Sequence, residues 1–165
     1  MKRMLNNHSG FSLIEGMIAS VVLATGLLAM AGMQHISLSR NVNANEYTRA
    51  GNLAADIIER IEYNRRNALD YNGITVSSAL SCGVAISKVM ANGDCTQWRT
   101  LLLNSGLTGV KGTITATLID PAPSVNPVTM NRTDVTVTIT WTYVQHGQAQ
   151  VQSNTVTFQT RVSPE

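Results

Sequence analysis

Glu15 is the only charged side chain between Phe11 and Met33, in a stretch that is otherwise almost entirely apolar. At the centre of an inserted helix a carboxylate costs about 2.5–3.5 kcal/mol, so it needs either water or a cationic partner. Two readings follow. Five residues into the segment, Glu15 can lie at headgroup depth and be solvated. Alternatively it meets an amine. Gly10 immediately precedes the apolar stretch, and cleavage after it would free an amino group on Phe11. Among parallel helices, the amine of one copy can pair with Glu15 of the next, and a buried pair of this kind is costly to break. A second constellation is Cys82 and Cys95. It reads as a disulfide, or as a redox or metal pair that lacks both Cys-x-x-Cys spacing and a nearby histidine. An oxidising compartment favours the disulfide, which would close a loop of about 14 residues and stabilise by about 3 kcal/mol. His8, His35 and His146 are dispersed. Asp120 precedes a proline and Asp134 opens a strand pattern, so both read as turn residues rather than paired acids. There is no phosphate-binding glycine motif, Gly-x-Ser-x-Gly or His-Glu-x-x-His. No catalytic site, metal site or cofactor is therefore expected, and the chain is not read as an enzyme.

The elements that position these groups follow from the distribution of charge. The 165 residues suit one domain; 44% hydrophobic content excludes disorder, and a net charge of +2 with 13% charged residues gives no basic stripe for nucleic acid. Residues 1–10 form a basic leader carrying Lys2 and Arg3. Residues 11–33 would span roughly 34 Å as a helix, enough to cross a bilayer. Lys2 and Arg3 favour a cytoplasmic N-terminus, although Arg40 and Arg49 on the other side leave the charge count undecided. Ala29-Met30-Ala31 is an alternative, conventional cleavage pattern after the apolar stretch.

No proline interrupts the chain before Pro121. Ala50, Leu53, Ala54, Ile57, Ile58 and Ile61 recur at helical spacing, opposite Arg49, Asn52, Asp56, Glu59 and Arg60. Asp56–Arg60 and Glu62–Arg66 add i,i+4 pairs. This predicts a single spine helix of about 55 residues, with residues 34–69 as its amphipathic half, fraying near Asn67 to Asn72. A coiled coil is the alternative for that half.

Residues 70–165 read as a head. Asp94 or Thr96 can cap a short helix over Gln97 to Leu103. Its Trp98 reads as core, or else as a contact with another subunit. Three alternating runs follow: Ile114, Ala116, Leu118; Val135, Val137, Ile139, Trp141, Tyr143; and Val156, Phe158, Thr160, Val162. Their period of two and their threonines predict strands. Asp120 to Arg132 is the expected loop between the first two, and His146-Gly147 the turn between the last two. Val151 is out of phase with Val156, which predicts a bulge near Ser153 or Asn154. The fold class is thus α+β, an antiparallel sheet with one face on the spine helix and a threonine face turned outward.

Ser9-Gly10-Phe11-Ser12-Leu13-Ile14-Glu15, between a basic leader and a long apolar helix, resembles the class III signal of type IV pilins and pseudopilins. The resemblance implies a type IV pilin-like fold and cleavage between Gly10 and Phe11 by a membrane prepilin peptidase, followed by N-methylation of Phe11. It also implies a role for Glu15 in methylation and subunit packing. Many members carry Thr at the place of Ser12, and major pilins often have a proline where this chain has Gly26 and Gly32. Gly26 to Gln34 and Asn52 to Asn64 are similar to the PilV-type subgroup of minor pilins. That likeness covers residues 9–67 well and weakens beyond, where Gln97-Trp98-Arg99 and the Trp141 strand still fit.

The expectation is a minor pilin in the inner membrane, single-pass, with its N-terminus cytoplasmic and its head periplasmic, which later joins a pilus near its tip. Implied partners are other minor pilins, the major pilin, the prepilin peptidase and the inner-membrane assembly platform; nucleic acid is not expected. A minor pseudopilin of a type II secretion system is the alternative. An adhesive or DNA-binding head is a further one, weakened by scattered cations at Lys88, Arg99, Lys111, Arg132 and Arg161.

Overall fold

The small residues Ala50, Gly51 and Ala54 leave room on one side of a helix for large side chains to approach its backbone, and the head is built there. The computed structural model describes residues 12–119, 132–144 and 151–163. Helix α1 spans Leu13–Tyr63, followed by a 3-10 segment Arg65–Tyr71, strand β1 (Thr75–Ser77), helix α2 (Val89–Leu103), and strands β2 (Lys111–Leu118), β3 (Thr133–Val144) and β4 (Val151–Val162). The chain divides into two units, Met1–Ala44 and Asn45–Glu165.

In the first unit residues 13–44 are helical; residues 13–33 are apolar apart from Glu15, Ser20 and Thr25, and their large side chains are exposed, Leu13, Ile14, Met17, Val21, Leu27 and Met33 among them. The window that qualifies α1 as a candidate span has a mean hydropathy of 2.0 and no buried residues. Two hydroxyls interrupt it. Ser20 Oγ donates to Met17 O at 2.7 Å and Thr25 Oγ1 to Val22 O at 2.9 Å. Each is satisfied within its own helix, as an environment without water requires.

In the second unit the order is β1-β2-β3-β4, antiparallel throughout. One sheet face carries Ile114 and Ala116 from β2 and Val135, Val137, Ile139 and Trp141 from β3, all buried. Ala50, Ala54, Ile57 and Ile61 of α1 join the same core, with Leu53 and Ile58 partly buried beside them. The helical stripe and the strand alternation therefore face each other as the sequence predicts. The opposite face carries threonines. Thr75, Thr113, Thr138 and Thr157 lie in one row across the four strands.

Three details depart from expectation. The α-helix ends at Tyr63 and gives way to the 3-10 segment, placing Arg66 beyond it. Helix α2 begins at Val89 rather than near Gln97, so Asp94 and Thr96 are interior to it. Burial of Ala91 and Cys95 on the core outweighs the weak propensity of Asn92-Gly93. No bulge occurs in β4. Its twelve residues pair with β3 in unbroken register from Val162↔Thr133 to Val151↔Val144. Val151 stays exposed on the outer face, which an edge strand tolerates. The Asp120 to Arg132 loop, Arg132 apart, and the His146-Gly147 turn lie outside the described residues.

Gly112 sits where β2 passes under α2. A Cβ there would collide with the Trp98 ring and lie 2.8 Å from Leu102 Cδ1, whereas one on Gly93 meets nothing within 4 Å. Gly112→Ala is expected to destabilise the protein by about 1–3 kcal/mol through overpacking. Gly93→Ala, on the open side of α2, is expected to stabilise it by up to about 1 kcal/mol. Denaturant unfolding of the detergent-solubilised chain checks both signs.

Candidate functional site

Two places carry the residues singled out by chemistry: the start of α1, and the junction of α1 with the head. At the first, Ser12 precedes the helix and its carbonyl accepts from Glu15 N at 3.0 Å and Gly16 N at 3.2 Å. Glu15 thus lies in the first turn, where its charge is favoured by the partial positive end of the helix dipole. Its side chain is exposed, and among the described residues no cationic side chain meets it. The exposed neighbours Leu13, Ile14, Met17 and Ile18 are apolar, so Glu15 is the lone charge on a hydrophobic surface. Gly10 and Phe11 lie outside the described residues.

The junction is held by side chains that grip α1 directly. Trp98 Nε1 donates to Leu53 O at 2.8 Å and Trp141 Nε1 to Glu46 Oε2 at 2.8 Å. The Tyr47 ring meets Trp141 edge-on, with centroids 5.1 Å apart. Trp98 is fully buried, so it belongs to the core. Cys82 and Cys95 form a disulfide with Cα atoms 5.9 Å apart. Arg99 secures the loop leading to Cys82, donating from Nε to Ser77 O and Leu80 O and from Nη2 to Ser78 O.

A polar network closes the far end of α1. Arg60 pairs with Asp56 at 2.9 Å, as the i,i+4 spacing predicts, and also reaches Asp94 at 3.5 Å and Gln97 Oε1 at 2.7 Å. The Tyr71 hydroxyl donates to Asp94 and accepts from Asn64 Nδ2. Lys88 pairs with Asp70 at 3.0 Å. Spacing revealed the Asp56 partner. The Asp94 and Tyr71 partners required knowing that α2 begins early and lies against the 3-10 segment. Asp134, read as a turn residue, is paired instead with Arg161 of β4, Oδ1 to Nε at 2.8 Å.

Among the described residues these groups do not converge on one cleft. The shallow pockets are lined by Asp134 with Gln159, Thr160 and Arg161, and by Glu62 to Asn67. Among the described residues no cluster of three His, Cys, Asp or Glu side chains could hold a metal. The contacts of Trp98, Trp141 and Arg60 fix the head on residues 45–63 of α1.

Two outcomes follow. Burial, with the hydrogen bond to the Asp94 carboxylate, pushes the Tyr71 phenol well above its usual value. A folded-state pKa raised above the unfolded value of about 10 gives a contribution that is complete below pH about 10 and lost as pH rises beyond it. Unfolding measured from pH 8 upward should show that alkaline decline in the parent chain and a smaller one in Tyr71→Phe. Replacing both cysteines (Cys82→Ala with Cys95→Ala) should cost about 3 kcal/mol, and a reductant should lower the melting temperature of the parent chain but not of the double variant.

Residues 5–31 match the family model described as the prokaryotic N-terminal methylation motif. No curated protein and no solved structure matches the chain. The matched segment contains Gly10, Phe11 and Glu15 and runs into the exposed apolar part of α1. A long apolar N-terminal helix packed on a four-stranded antiparallel sheet is the α+β arrangement expected of a type IV pilin. Over residues 5–31 the chain thus carries the methylation motif, and its α+β arrangement is consistent with a type IV pilin fold.

Proposed function

We propose that this chain is a minor pilin of the PilV type, a structural subunit that primes assembly of a type IV pilus. The observation that carries the reading is the methylation motif at residues 5–31, set at the head of a helix whose residues 13–33 expose their large apolar side chains and carry Glu15 as their lone charge. A prepilin peptidase cuts between Gly10 and Phe11 and N-methylates Phe11. Before assembly the chain sits in the inner membrane by residues 11–33, with its leader cytoplasmic and its head periplasmic. The oxidising side suits the Cys82–Cys95 disulfide. The assembly platform then passes it to a complex with other minor pilins and the major pilin, and it travels near the tip of the fibre.

Glu15 gives the reading its electrostatics. An exposed carboxylate on an apolar helix is unstable in a fibre core unless it meets a cation. The amine of Phe11 on a neighbouring subunit supplies one. The pair would lower the cost of moving the helix from lipid into a bundle, and it orders the subunits axially.

The intact mass of the protein from bacterial membranes should correspond to a chain starting at Phe11 with one added methyl group. Glu15→Leu should reduce incorporation into sheared fibres while leaving the head folded; unchanged incorporation would remove the charge-pair argument. A clean deletion should abolish surface pili and twitching with normal exoprotein secretion. Normal pili with failed secretion would instead make the chain a minor pseudopilin of a type II secretion system.

A further inference from the structure

The two edges of the head sheet are treated differently. The β1 side is closed. Beyond β1, Ser77 N donates to Leu80 O at 3.1 Å, and Arg99 donates from Nε to Ser77 O and Leu80 O and from Nη2 to Ser78 O. Where β3 runs past β2, Thr142 N and Oγ1 both donate to Thr108 O, at 2.8 and 3.0 Å. On the other side lies β4, twelve residues long. Among the described residues no strand pairs with its outer edge, and the backbone from Val151 to Thr160 makes no hydrogen bond beyond the β3 ladder. Proteins usually blunt such an edge with charge, proline or a bulge. From Val151 to Thr160 this edge has none of the three.

We propose that the outer edge of β4 is a docking site for an extended, uncharged strand contributed by a different subunit of the assembly, which adds a fifth strand to the sheet. Alternating free N–H and C=O groups select an extended chain and no other conformation. Absence of charge along the edge disfavours a charged partner strand, because its ions would lose water without gaining counter-ions. The inner face also leaves apolar surface for the partner's inward side chains. Phe158 keeps 39% and Tyr47 43% of its surface exposed, and Val156 is only partly buried.

A second copy of this chain does not fit the edge, and this step rests on the functional reading above. Antiparallel pairing of two β4 edges relates the copies by a two-fold axis normal to the sheet. Residues 45–63, packed flat on that sheet, would then run in opposite directions in the two copies. In that reading neighbouring subunits pack their α1 helices in parallel, which excludes such a pair. Head-to-tail continuation is blocked as well, because the opposite edge is the three-residue β1, where Arg99 already holds the Ser77, Ser78 and Leu80 carbonyls.

The test uses the full chain in its bacterium, with a photo-crosslinking side chain at Thr155 or Thr157 on β4, and at Thr115 on β2 as the control on the same face. Leader cleavage is read from the same samples. The expected result is an adduct from 155 and 157 that maps to one extended segment of a different chain and is absent from 115. With the probe at 157, it should be lost when Ser153→Lys and Thr155→Lys are introduced together and kept with Thr115→Lys. Single prolines at Thr155 and Val156 give the second variant. Of two adjacent residues only one points its N–H outward, and that substitution should abolish the adduct while the Cys82–Cys95 disulfide still forms. Equal adducts from 115 would place the contact on the face and overturn the proposal, as would an adduct with a second copy. A cleaved leader with no adduct would overturn this inference alone; an uncleaved leader with no adduct would overturn it together with the functional reading.

Discussion

The indole of Trp98 is where α1, α2 and β2 meet. It grows from α2, places its N–H on the Leu53 carbonyl of α1, and presses its six-membered ring onto the bare Gly112 of β2. A buried aromatic must satisfy its polar atom as well as fill space, and here each requirement is met by a different element. Moving any one of the three would either orphan the indole N–H or open a void. The residues around it are chosen accordingly. Ala50 and Ala54 keep the helix surface low, and Gly112 removes the one Cβ that could not fit. Trp141 repeats the arrangement one layer away through Glu46.

Around that seat the polar contacts are graded by their surroundings. Asp56, Arg60, Asp94, Gln97, Tyr71 and Asn64 form a connected set in which Arg60 and Asp94 each have more than one partner. Partial burial makes such a set worth more than isolated surface pairs, which contribute little. Asp134 and Arg161, by contrast, face solvent across two strands and chiefly fix register. The disulfide and Arg99 do a third kind of work, tying the irregular stretch between β1 and α2 to a helix that is itself anchored by Trp98.

How much of this was legible depended on range. The Ala50–Ile61 stripe and the alternation over residues 135–143 are local periodicities imposed by one buried face, and both elements stand where the pattern puts them. The cysteine pairing was legible from compartment chemistry. Asp94 was not, since a residue that suits a cap can equally sit mid-helix when tertiary partners hold it. The early start of α2 has the same origin: Asn92-Gly93 reads as a turn until Cys95 and Ala91 are buried behind it. The expected bulge failed because the phase of Val151 mattered only if β4 were an interior strand. At the N-terminus Glu15 stands out from the sequence alone, as a single carboxylate in an apolar run.

Ser20 and Thr25 bear on that same run. Their hydroxyls bond carbonyls of their own helix, and no other polar side chain lies between Glu15 and Gln34. Such a helix has no hydrogen bonds to exchange when its surroundings change from one apolar medium to another. Lipid tails and the flanks of other helices are nearly equivalent solvents for it. What distinguishes one apolar surrounding from another for this run is therefore its single charge, Glu15.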